Sequence, residues 1–142
     1  MSKFSVTRKE ILTAAASLRG YKFCHQARGE NESVDCVGFL HVVANKIGMP
    51  NVVDVTDYKR QPQPEVLWKY LLKNCEEIPL SEIRPADVFF MRLHSPKPRH
   101  TAMLFDEKNI IHASDKGVRI QPISDFPKEW FCRAVRIRGV ID

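Results

Sequence analysis

The sequence contains no CxxC pair and no regular cysteine spacing, since Cys24, Cys36, Cys75 and Cys132 stand far apart. That excludes the common zinc patterns and a disulfide framework, and the chain needs neither to fold. With 142 residues it forms one domain, residues 1–142, able to bury roughly two thirds of the surface its unfolded form would expose. No apolar run is long enough to span a bilayer, so no membrane partner is expected. The one stretch resembling a leader, residues 11–18 behind Lys9, is short and interrupted by Thr13 and Ser17. The chain is therefore read as made in the cytoplasm without a signal peptide. Basic runs interleaved with aromatics are missing too: the net charge of +5 is spread along the chain among acidic neighbours, which argues against nucleic acid and suits an anionic polymer more generally.

What is present is an ordered change of pattern. Thr7 with Glu10 three positions on forms a capping box, which predicts a helix over residues 7–18 ended by Arg19-Gly20. A polar loop follows to residue 34. Residues 36–47 are apolar on most faces and stop at Gly48 with Pro50 beyond, as a mostly buried helix does. Residues 65–74 read as an amphipathic helix with Val66, Leu67, Tyr70 and Leu71 on one side. Beyond that point come short β-prone runs at 87–93, 101–105, 109–113, 118–122 and 131–138, with turn signals at 106–108 and 115–117. Helices first and an antiparallel meander afterwards give an α+β plan, with helices packed on one face of the sheet.

Asp35 can cap the helix that opens at Cys36, which places the thiol in the first turn, where backbone N–H groups and the helix dipole favour a thiolate. A free thiol titrates near ~8.5 and falls to ~7.5 or below at such a position beside a histidine. Gly38 permits another element to approach closely. His100 opens one predicted strand and His112 lies near the end of the next. Equal arms about the 106–108 turn bring the two side by side, one as base and the other fixing its tautomer. Cys24 and His25 are a second thiol and imidazole, without a helix start after them. Cys75 at a helix end, Cys132, His41, His94, Trp68 and Trp130 read as structural.

Four segments carry a resemblance. Asp35-Cys36-Val37-Gly38-Phe39, Arg84-Pro85-Ala86-Asp87-Val88-Phe89-Phe90, His100-Thr101-Ala102-Met103 and Ile110-Ile111-His112-Ala113-Ser114 resemble, in order, the DCxG[LF], RPGDLxFF, HVGI and FIHAS segments of the NlpC/P60 cysteine peptidases. The resemblance covers about residues 21–138. It implies a papain-like α+β fold and a thiol peptidase without cofactor or metal. Such enzymes cleave peptidoglycan stem peptides, often between D-glutamate and a diamino acid. By position Cys36 is the nucleophile, His100 the base and His112 the orienting residue. The Cys36 N–H contributes to an oxyanion hole, a kind of donor whose removal costs ~3 kcal/mol of barrier. Tyr21 is the candidate second donor, with Phe23 the alternative match, and Asp35 and His25 are candidate cleft residues.

The sequence departs from the family pattern at Val37, Ala86 and Ala102, where serine, glycine and glycine are usual. The loop Cys24-His25-Gln26-Ala27-Arg28-Gly29 is similar to the HQGR loop of phage-encoded members, which implies phage-tail proteins as partners and action in the virion or periplasm. Two other readings share the fold: a related thiol amidase or acyltransferase, and a non-catalytic component of a phage tail or secretion device.

Overall fold

The capping box read from Thr7 and Glu10 opens the first helix. In the computed structural model, which describes residues 3–142, α1 spans Arg8–Ala16. The Thr7 hydroxyl accepts from the Glu10 N–H, and the Glu10 carboxylate accepts from the Thr7 N–H, both at 3.1 Å. Met1 and Ser2 of the expected unit lie outside the described residues. A two-residue parallel pair, β1 (Lys22–Phe23) with β2 (Ser33–Val34), brackets the polar loop and delivers the chain to α2 (Cys36–Lys46). The third helix, α3 (Pro64–Asn74), begins on a proline, whose missing N–H would have no intrahelical partner there.

Six strands form one antiparallel sheet: β3 (Cys75–Ile78), β4 (Val88–Met91), β5 (His100–Leu104), β6 (Asn109–Ser114), β7 (Gly117–Pro122) and β8 (Phe131–Ile137). Their spatial order is β3-β8-β4-β5-β6-β7. The expected meander holds for β4 to β7. Two features differ from it. The last strand returns to pair with β4, and Cys75, which ends α3 as expected, also opens an unexpected strand, β3, which pairs with β8 through Cys75 opposite Ile137.

Alternation along the strands divides the core in two. Val88, Phe90, Met103, Ile111, Ala113 and Val135 pack with the helical residues Ile11, Phe39, Val43, Leu67 and Leu71. Phe89, Met91, Ala102, Leu104 and Ile110 point to the other face, where Ile123, Phe126, Trp130 and Phe131 cover them. The helices thus lie on one face as read from the sequence, while the connection between β7 and β8 closes the other.

Two local devices hold the frame. Asp87 is fully buried and accepts from Arg8 at 3.0 Å, from both Arg136 Nε (3.0 Å) and Nη2 (2.9 Å), and from the Arg84 N–H at 2.9 Å. One carboxylate therefore fastens α1, β8 and the turn before β4. In that turn Ala86 adopts φ +81°, a left-handed conformation that glycine takes without strain. On the far side, residues 20–21 strap β7: the Gly20 N–H donates to the Val118 carbonyl at 3.0 Å, and the Val118 N–H to that of Tyr21 at 2.8 Å.

Candidate active site

Asp35 caps α2 by accepting from the Gly38 N–H at 2.7 Å, and Cys36 is the first helical residue. The same carboxylate accepts from the Gln26 N–H at 2.8 Å, from Arg28 at 3.2 Å and from the Tyr58 hydroxyl. Gly38 has the role its lack of a side chain suggested, since a Cβ there would stand 2.0 Å from the Ala27 carbonyl oxygen. Across the site, the Thr101 hydroxyl donates to the Cys36 carbonyl at 3.3 Å and ties β5 to the start of α2. Its neighbour His100 and Cys36 line one small cleft of about 120 Å³. Loop residues Arg60 and Pro62, with Arg99 and Asp115, complete its wall.

His100 Nε2 and His112 Nδ1 are 2.8 Å apart, both residues being buried. Their placement differs in detail from the sequence expectation. Met103 pairs with Ile111 and Leu104 with Ile110, so the register continues to His112 opposite Ala102, and the imidazoles meet diagonally rather than side by side. With Nε2 directed at His112, Nδ1 is the nitrogen of His100 left for the cleft it shares with Cys36.

The electrostatics reverse the expectation of a ready thiolate. Burial, with the Asp35 carboxylate adding to it, pushes the Cys36 thiol up to about 12, and Thr101 opposes this more weakly. Burial first and His112 next hold His100 well below the ordinary imidazole value, and burial also lowers His112. Both shifts favour a neutral thiol beside a neutral imidazole, a pair in which proton transfer accompanies attack rather than preceding it.

Among the other sequence candidates, Asp35 lines the cleft and so does Phe23. Tyr21 packs against the helical core, with its carbonyl engaged by β7. His25 stacks edge-on to the Tyr58 ring at 5.5 Å. Neither of these two side chains contributes to the cleft wall. Sequence reading passed over Tyr58, Arg28, Thr101 and Gln121. For Gln121 a signal existed: the two-residue turn at Asp115 and Lys116 sets His112 opposite Arg119, and Gln121, two residues on, faces the same side as His112.

A thiol at the start of a buried helix, set against an imidazole on an antiparallel sheet, defines the papain-like α+β class. Within it, the chain belongs to the NlpC/P60 family, whose sequence profile matches residues 20–136. No curated protein matches the chain. Solved structures share the fold. A Staphylococcus aureus protein similar to a lipoprotein of this family superposes with a TM-score of 0.65 at 17% identity, over 92% of this chain and 41% of its own. The chain thus spans less than half of that protein. The NlpC/P60 domain of the peptidoglycan hydrolase SagA gives 0.60 at 19% identity, over 92% of this chain and 98% of its own. RipD from Mycobacterium tuberculosis, described as a non-catalytic domain adapted to peptidoglycan binding, gives 0.59 at 12% identity, over 92% of this chain and 95% of its own.

Proposed function

We propose that this chain is a peptidoglycan stem-peptide endopeptidase that works through Cys36, His100 and His112. The observation that carries the reading is the 2.8 Å contact between His100 Nε2 and His112 Nδ1, on the imidazole that shares the Cys36 cleft. In the proposed reaction His100 Nδ1 takes the thiol proton as sulfur bonds to the scissile carbonyl carbon. The C–N bond then breaks, the proton passes to the departing amine, and water releases the acyl group. Arg60 and Arg99 in the cleft wall suit a substrate rich in carboxylates, as stem peptides are. The family resemblance favours the bond between D-glutamate and the diamino acid, and the loop at 24–29 favours a tail-associated enzyme delivered to the wall.

Digestion of defined muropeptides, with products weighed, tests this. The wild-type chain cleaves the stem peptide and Cys36→Ala does not, while melting at the same temperature. Product masses also separate an endopeptidase from an amidase. A second reading, a domain that binds wall peptides without cutting them, is favoured by the raised Cys36 thiol and by RipD sharing the fold. Saturable muropeptide binding by the wild-type chain with no product over the whole panel would select it.

A further inference from the structure

The hydrogen-bond chain behind His100 does not end at His112. His112 Nε2 lies 2.9 Å from Gln121 Oε1, and Gln121 Nε2 donates to Asp125 Oδ2 at 3.1 Å. From these contacts we infer that Gln121, oriented by Asp125, is a positioning residue that sets the tautomers of both histidines and so leaves the His100 Nδ1 lone pair free for the cleft that His100 shares with Cys36.

Each step follows from what the groups can do. A carboxylate oxygen only accepts, so Asp125 selects the NH₂ end of the Gln121 amide and turns its carbonyl toward His112. That carbonyl only accepts, so His112 must carry its proton on Nε2. A neutral His112 then presents a bare Nδ1, and the 2.8 Å contact requires His100 to donate from Nε2. The remaining nitrogen of His100, Nδ1, is the base. If Gln121 lost its acceptor, His112 could hold its proton on Nδ1 instead. His100 would then accept at Nε2 and turn an N–H toward the thiol, a geometry unable to take its proton. Among the described residues nothing else polar is bonded to His112 Nε2, and Phe126 stands edge-on to the ring at 6.0 Å. Gln121 and His112 also line a neighbouring cavity of about 360 Å³, which gives an altered side chain room without disturbing the sheet.

The inference rests on the peptidase reading for its kinetic consequence but not for its structural one, and the test separates them. Histidine-selective ¹⁵N labelling reports tautomers directly. The wild-type chain is expected to show the Nε2–H form at both His100 and His112. In Gln121→Met both signatures become mixed, kcat falls about 10- to 100-fold, the range typical for losing a group that orients an imidazole, and KM stays unchanged. Gln121→Glu combined with Asp125→Asn, which keeps an acceptor toward His112 and a donor behind it, restores the tautomers and most of kcat. Retention of both Nε2–H signatures in Gln121→Met overturns the inference whatever the rate. Altered tautomers with unchanged kcat overturn its catalytic part, as does a Gln121→Glu/Asp125→Asn chain as slow as Gln121→Met. If the wild-type chain cleaves nothing, the peptidase reading fails and the spectra alone decide.

Discussion

The Asp35 carboxylate accepts the phenolic hydrogen of Tyr58, so the loop between α2 and α3 is bonded to the cap of the nucleophile helix. Arg28 reinforces the tie: it pairs with Asp35 at 3.2 Å and Asp54 at 3.1 Å and donates to the Val55 carbonyl at 2.7 Å. Tyr58→Phe removes one donor from a buried carboxylate and is expected to cost about 1–2 kcal/mol, read as a lower urea midpoint. Arg28→Met removes the only cation paired with Asp35 among the described residues, and the expected loss is larger, about 3–5 kcal/mol.

Gly38→Ala should reverse the usual sign of such a change. In a helix interior this substitution ordinarily stabilises by about 0.5–1 kcal/mol. Here the new Cβ would meet the Ala27 carbonyl oxygen at 2.0 Å, so backbone must move. The expected outcome is a loss of about 1–3 kcal/mol by denaturant titration, with a drop in muropeptide cleavage because the first turn of α2 shifts.

Stability should fall on mild acidification. Burial lowers the His100 and His112 values from 6.5, so between that value and the folded-state ones the unfolded chain binds more protons. The contribution is fully present above 6.5 and is lost as pH falls below it. Urea midpoints at pH 7 and pH 5 should differ, and His112→Gln should flatten the difference.

Alkylation should report the raised thiol. With the Cys36 thiol pushed up to about 12, its thiolate fraction at neutral pH is small, whereas Cys24 is exposed. Peptide-resolved mass spectrometry after brief iodoacetamide treatment at pH 7 should find Cys24 modified before Cys36, with the Cys36 rate climbing as pH rises. Rapid Cys36 labelling at pH 6 would instead indicate a resting thiolate with an imidazolium.

The parts legible in the sequence are those written within a few residues. The Thr7 and Glu10 capping box, the apolar run after Cys36 and the turns at 106–108 and 115–117 each carry a local signal, and the corresponding elements form. β3 carried none: Cys75-Glu76-Glu77-Ile78 is buried only at its ends, and its partner lies some sixty residues on in β8. The ion pair of Glu77 with Arg133 at 2.8 Å shows why its middle is charged. At the site, the cap and the glycine could be read because α2 is local. The thiol's protonation could not, because it depends on how deeply tertiary packing buries Cys36 and how near it leaves Asp35.

The strap of residues 20–21 over β7 bears on how this chain meets copies of itself. An outermost strand with unengaged backbone groups invites another strand to add on. Here Val118 already spends both its N–H and its carbonyl on the segment leading into the site. Docking by strand addition at that end would first have to peel this segment away, and with it the wall that Phe23 gives the cleft. Strand addition at the Val118 end and an intact cleft are therefore mutually exclusive.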